Sequence, residues 1–251
     1  MCVAVAMDLW SSRTRMAGRV LGFAIGWREV KRLLFSLMLF AAGCGTKTEP
    51  VAVEQVPMPA AVPVAVKDER PVIVAFGDSL SAGFGAETGS SYPDFLRREL
   101  DGAGFAYRVV NQGVSGDTTS GGLERVAQAI ELKPFLVILE LGGNDGLRGL
   151  PIAVTRENLD KMIAAFKEAG AKVMLAGMTL PRNYGPDYVR EFEQIYPMLE
   201  KKHKITRMRF LLDGVVMKKG LMQQDQIHPT AEGNKIVARN VFQVIAPLLR
   251  K

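Results

Sequence analysis

Histidine and cysteine are scarce, two of each in 251 residues: His203 and His228, Cys2 and Cys44. So few ligands, with both cysteines near the start of the chain, cannot build a Cys/His metal cluster of the usual spacing or an internal disulfide in the periodic part of the sequence. A basic stripe is also missing. The net charge is +6, but Met1–Arg32 holds six cations (Arg13, Arg15, Arg19, Arg28, Lys31, Arg32) against Asp8 and Glu29, and beyond it Lys and Arg are mixed with Asp and Glu. No nucleic-acid surface is read from that distribution. Phosphate-cradling loops are lacking too: Gly83-Phe84-Gly85 is followed by Ala86, Glu87 and Thr88, where a dinucleotide fingerprint needs its third glycine, and no Gly-Lys-Ser/Thr occurs.

The apolar stretch Leu33–Gly43 is too short to span a bilayer comfortably. Preceded by Lys31-Arg32 and followed by small residues, it has the layout of a secretory signal. Ala41-Ala42-Gly43 before Cys44 is similar to a bacterial lipoprotein signal, with Cys44 the residue cleaved at and lipidated, although Ala41 stands where Leu is usual. Thirty residues before such a signal is abnormal. Two explanations stay open: translation starting at Val30, or a genuine extension from Met1. Residues 46–70 are rich in Pro, Ala and Val, which favours an extended tether. The expected organisation is an N-terminal extension and signal over 1–45, a linker over 46–70 and a folded domain over 71–251.

Within that domain apolar runs alternate with amphipathic segments. Strands are expected at Val72–Phe76, Arg108–Val110, Leu136–Leu141, Lys172–Met178 and Met208–Leu212, and helices at Tyr92–Leu100, Gly122–Ile130, Arg156–Glu168, Asp187–His203 and Ala231–Leu249. This β-α-β-α order, with strands apolar on both faces, argues for an α/β fold: a parallel sheet covered by helices on each side. Ligands on such folds sit beyond the carboxyl ends of the strands. The unusual residues fall there: Ser79, Asn111–Gly116, Gly142–Asp145, and Asp225–Pro229 before the last helix.

A serine at a strand end is either a turn residue or a nucleophile, and a nucleophile needs a base and an oxyanion site. His203 lies among lysines in LEKKHKI and reads as a solvated helix end. His228 lies in DQIHP, three residues after Asp225, close enough for that carboxylate to take the Nδ1 proton while Nε2 faces the serine. Asp-x-x-His is also common in surface loops. Oxyanion donors are available in the N–H groups of Ser79 and Gly116 and the amide of Asn144, though SGDTT and LGGND also suit helix caps and turns. Asp78 and Asp117 are expected in that lesser capping role.

Taken in order, GDSLSAGFG, NQGVSGDTT, ELGGNDGLRG and DQIHP resemble the four blocks of the SGNH (GDSL-type) hydrolases, most closely the branch of bacterial arylesterases, acyl thioesterases and lysophospholipases. The resemblance runs from Val72 to the last helix. It implies a flavodoxin-like three-layer α/β/α sandwich on a five-stranded parallel sheet and a carboxylic ester or thioester as substrate. It also implies Ser79 as nucleophile, His228 as base and Asp225 as its partner, with Ser79, Gly116 and Asn144 as the oxyanion hole. No metal and no cofactor is implied. In relatives, loops corresponding to Gly146–Pro151 and Thr179–Gly185 flank the acyl groove, so Leu147, Leu150, Leu180 and Pro181 are the expected apolar wall, with simple packing as the competing reading. A monomer in the periplasm, tethered to the outer membrane if Cys44 is lipidated, completes the expectation. A carbohydrate O-acetyl esterase and a non-catalytic acyl-binding lipoprotein remain open alternatives.

Overall fold

The computed structural model describes residues 68–251. The signal-like segment, Cys44 and the tether up to residue 67 lie outside the described residues.

Five strands form one parallel sheet in the order β2-β1-β3-β4-β5: β1 Val72–Gly77, β2 Arg108–Gly113, β3 Pro134–Glu140, β4 Lys172–Ala176 and β5 Thr206–Met208. Every residue of β1 is buried, and Ile73, Val74, Ala75 and Phe76 have no accessible surface. Strands covered on both faces lose alternation and read as continuous apolar runs, which is why β1 and β3 are so plain in the sequence.

The helices are α1 Ser79–Ala82, α2 Tyr92–Gly102, α3 Thr119–Glu124, α4 Val126–Glu131, α5 Gly143–Leu147, α6 Ile152–Glu168, α7 Pro186–His203 and α8 Ala231–Ile245. Helix α2 packs against α8, while α6 packs against α3, α4 and α7. Parallel crossovers are right-handed, so reversing direction after β2 sends the following helices to the opposite face. The first crossover moves from β1 to β2, the next returns past β1 to β3, and the loops leaving β1 and β3 therefore diverge. The crevice between them is the switch point where open α/β sheets bind ligands.

Boundaries differ from the sequence reading where side chains outside the local pattern intervene. The expected helix over 122–130 is two short helices, because the backbone at Arg125 leaves helical geometry (φ −105°, ψ 6°). The last strand ends at Met208. The apolar run beyond it goes into the core as a turn, with Leu211 and Leu212 buried and the Leu211 N–H donating to Gly177 O at 3.0 Å. Strand β4 stops at Ala176, which frees Met178 from the sheet, and the last helix ends in a 3₁₀ turn over Ala246–Leu248, at Pro247.

Candidate active site

Ser79 opens α1 directly after β1. Asp78 caps that helix, its Oδ1 accepting the Leu80 N–H at 3.0 Å. The serine keeps only 9% of its surface exposed, at the floor of a pocket of about 200 Å³. Gly77 has to be glycine: an added Cβ would overlap the Ser81 hydroxyl and the Glu140 carboxyl and lie 2.8 Å from the Glu140 carbonyl oxygen. Gly77→Ala is therefore expected to cost about 1–3 kcal/mol in denaturant unfolding, the penalty of an overpacked core.

His228 reaches the site from the loop before α8. Its Nε2 lies 2.8 Å from Ser79 Oγ, and its Nδ1 lies 2.6 Å from Asp225 Oδ2. The other carboxylate oxygen, Oδ1, accepts the N–H groups of Ile227 at 3.0 Å and His228 at 3.1 Å, so one side chain both folds the loop and orients the ring. Burial works to raise the Asp225 pKa, but hydrogen bonds from the His228 ring and these two N–H groups outweigh it and hold the carboxyl below its ordinary value. Gln226 sits within this loop at φ 59°, a left-handed conformation uncommon for a non-glycine residue, and its amide donates to Gln223 O. Gln223 also donates to Phe84 O at 2.7 Å, which ties the histidine loop to the segment after Ser79. The Phe84 ring packs on the imidazole, with centroids 4.7 Å apart.

Opposite the serine, the hydrogen bonds of the described residues leave the N–H groups of Ser79 and Gly116 without an acceptor. Gly116 has φ +80°, a conformation that costs glycine nothing. The Asn144 Nδ2 donates to Asp78 Oδ2 and to Asp117 O, both at 2.9 Å. Two acceptors on one side fix the amide: a flip would set Oδ1 against a carboxylate and a carbonyl. Asn144 lines the pocket with Ser79 and Gly116, and both of its N–H bonds are spent on these two acceptors.

Two groups, buried Asp145 and half-buried Arg125, hold these loops in register. Asp145 has no accessible surface and accepts the Thr119 N–H at 2.8 Å and hydroxyl at 2.5 Å, joining the Asn144 turn to the helix that follows Gly116. Arg125 pairs with Asp117 at 2.7 Å, donates to Gln112 O at 2.7 Å and Gly77 O at 2.8 Å, and lies 3.9 Å over the Phe76 ring. One guanidinium therefore clamps the ends of β1 and β2 to the Gly116 loop, which explains the break at Arg125.

The structure brings Ser79, Gly116, Asn144, Asp225 and His228 together. Of the four expected wall residues only Leu147 lines the pocket. Leu180 is in the hydrophobic core, where its side chain fills the space beside Gly146. Leu150 is half-buried, bonded through its N–H to Asp145 O and its carbonyl to Tyr188, and Pro181 is exposed before a 3₁₀ turn. The remaining apolar lining is Leu80, Phe84, Met178 and Ile227. Phe84 and Ile227 were missed by the sequence reading; the signal available was a large apolar residue close to Ser79 and another next to His228, and both stay exposed, at 52% and 46%. Met178 was hidden because it reads as part of β4. Leu180→Ala is expected to destabilise by about 2–4 kcal/mol and leave KM unchanged, whereas Leu147→Ala raises KM with little effect on melting.

His203, the other histidine, pairs with Asp160 at 2.6 Å on the α6–α7 surface and takes no part in the pocket. Among the described residues no His/Cys/Asp/Glu group is arranged to hold a metal ion. Burial pushes the Asp78 carboxyl up to about 6, against hydrogen bonds from Leu80, Glu140 and Asn144 that lower it. An acid whose folded pKa is raised costs stability as pH rises. The Asp78→Asn variant should therefore gain stability relative to the wild type between about pH 4 and pH 6, measured by melting temperature.

A serine hydrogen-bonded to an Asp-oriented imidazole, facing unpaired N–H donors at a sheet switch point, defines the class: an α/β serine hydrolase. Comparison with known proteins agrees. Residues 75–236 match the model of the GDSL-like Lipase/Acylhydrolase family. Esterase TesA of Pseudomonas aeruginosa is 42% identical over 178 residues, covering 70% of this chain and 89% of that protein. Thioesterase 1/protease 1/lysophospholipase L1 of Escherichia coli (strain K12) is 34% identical over the same length, covering 70% and 84%. A crystal structure of TesA superposes with a TM-score of 0.69 at 41% identity, covering 71% of this chain and 99% of that one. The chain belongs to the GDSL-like lipase/acylhydrolase family and is a carboxylic ester hydrolase.

Proposed function

We propose that the protein hydrolyses carboxylic esters and thioesters, aryl esters, acyl thioesters or lysophospholipids among them, through an acyl-enzyme on Ser79. The observation that carries this reading is the continuous chain Asp225–His228–Ser79, at 2.6 and 2.8 Å, opening into an apolar pocket. His228 Nε2 takes the Ser79 proton as Oγ attacks the carbonyl carbon, and Asp225 holds the imidazolium that forms. The oxyanion is met by the N–H groups of Ser79 and Gly116 and by the Asn144 amide, which turns an N–H from Asp117 O toward it. The imidazolium then protonates the leaving alcohol or thiol. Water, deprotonated by the same imidazole, attacks the acyl-enzyme and releases the acid and free Ser79.

Leu147, Met178, Phe84 and Ile227 receive the acyl or aryl part. The pocket, about 200 Å³, is smaller than the roughly 300–1,000 Å³ that encloses a drug-sized ligand. Among p-nitrophenyl esters from acetate to palmitate, kcat/KM of the full chain should therefore peak at short or medium acyl length. A maximum at acetate with activity on acetylated sugars would favour an O-acetyl esterase, and no turnover by folded protein would leave only acyl binding.

No helix among the described residues is long and apolar enough to cross a membrane. The arrangement of Lys31-Arg32, Leu33–Gly43 and Cys44 supports export to the periplasm as a monomer on a Pro/Ala/Val-rich tether, anchored to the outer membrane through lipidated Cys44. Radiolabelled palmitate incorporated by the wild type but not by Cys44→Ala would support the anchor.

A further inference from the structure

The mechanism makes no use of Glu140, the last residue of β3, which has no accessible surface. Its Oε2 accepts the Ser81 hydroxyl at 2.8 Å and the Asp78 N–H at 3.2 Å, and its Oε1 is buried without any partner. Next to it, Asp78 is also buried and spends its two oxygens on the Leu80 N–H and the Asn144 amide. Neither carboxyl forms an ion pair among the described residues. The titratable and charged groups around them are Tyr92 on α2, Tyr196 on α7, Asp145 on α5, His228 from the loop before α8, and Arg125, whose guanidinium goes to Gly77 O.

Two adjacent buried carboxyls with no cation between them cannot both be ionised. The proton belongs on Glu140: Oε1 is buried with no donor, and leaving a charged oxygen unpaired costs more than leaving a neutral O–H unpaired, while Oε2 is already taken by two donors. Burial first, and then the Asp78 charge, push Glu140 well above the ordinary carboxyl range. The single negative charge of the pair then sits on Asp78, where a charge-assisted hydrogen bond fixes the Asn144 amide.

Resting on the Ser79 reading above, we propose that Glu140 is a positioning residue of the oxyanion hole: as a neutral acid beneath the strand ends it holds the Asp78 backbone and leaves the Asp78 carboxylate to aim the Asn144 N–H. It touches neither substrate nor Ser79 and acts only through Asp78 and Asn144.

The test compares Glu140→Gln and Glu140→Leu in the full chain, using p-nitrophenyl butyrate kinetics, a fluorophosphonate to count reactive serines, melting temperature and infrared spectra at about pH 8. Glutamine is neutral and keeps an acceptor for Asp78 and Ser81, so kcat should stay within about threefold of wild type. Leucine offers no acceptor and should lower kcat about 10- to 100-fold with KM within about twofold, a fraction of the value of one oxyanion donor. The wild-type spectrum should contain a protonated-carboxyl stretch that Glu140→Gln lacks. Equal losses in both variants, full kcat in folded Glu140→Leu, or no protonated carboxyl in the wild type would each overturn the proposal. If Glu140→Leu does not fold, the glutamine kinetics and the infrared comparison decide. Failure of the serine mechanism itself would look different, as a wild type that neither turns over ester nor takes one fluorophosphonate at Ser79.

Discussion

Ser79→Ala should lower kcat by on the order of 10⁵- to 10⁶-fold, and His228→Ala by a similar factor, while the double variant loses no more than either alone. The reason is geometric. Ser79 Oγ and His228 Nε2 are joined at 2.8 Å, so in the attacking step the base and the hydroxyl work only through each other. Groups that act as one unit are not additive: once either is gone, the other contributes nothing to the attack. What remains is the proposed oxyanion site of Ser79 N–H, Gly116 N–H and Asn144, which would still polarise a bound ester. Burst titration on the full chain, with melting temperature as a control, checks both points. Losses that multiply in the double variant would mean that the two side chains act in separate steps.

Asp225→Asn should cost about 10³- to 10⁴-fold in kcat while the loop keeps its fold. An asparagine oxygen can still accept the Ile227 and His228 N–H groups that Asp225 Oδ1 accepts, so the loop keeps its shape. At the other end an NH₂ would face His228 Nδ1, forcing the proton to Nε2 and pointing it at Ser79, the wrong tautomer for a base. Because the Asp225 pKa is lowered in the folded chain, its stabilising contribution is present above the ordinary value of 3.8 and is lost as pH falls through the folded value. Wild type and variant should therefore differ in stability above about pH 4 and converge below it, as read by melting temperature.

The parts of the molecule legible from residues alone are those where one physical requirement dominates. Strands β1 and β3 had to be apolar on both faces, and their ends were marked by Gly77-Asp78-Ser79 and Gly142-Gly143-Asn144. The histidine of the site followed from scarcity, since His203 lies among lysines. Less legible were features set by contacts between distant segments. The break at Arg125 depends on carbonyls of Gly77 and Gln112. The fate of Leu180 depends on the bare Gly146, which opens core space that a groove-lining leucine would not need. The helices α1 and α5 are too short to show a period, and the buried Glu140 reads simply as a charged strand end.

Ser79 and His228 are separated by 149 positions, with all four later strands and most of the helices between them. A chain emerging from the ribosome therefore carries Ser79 long before His228, and the two can meet only when the loop before α8 is in place. Contacts of such large sequence separation close late in folding. On the proposed mechanism the partly made protein is chemically inert, so no ester it meets is attacked until the last segment locks down.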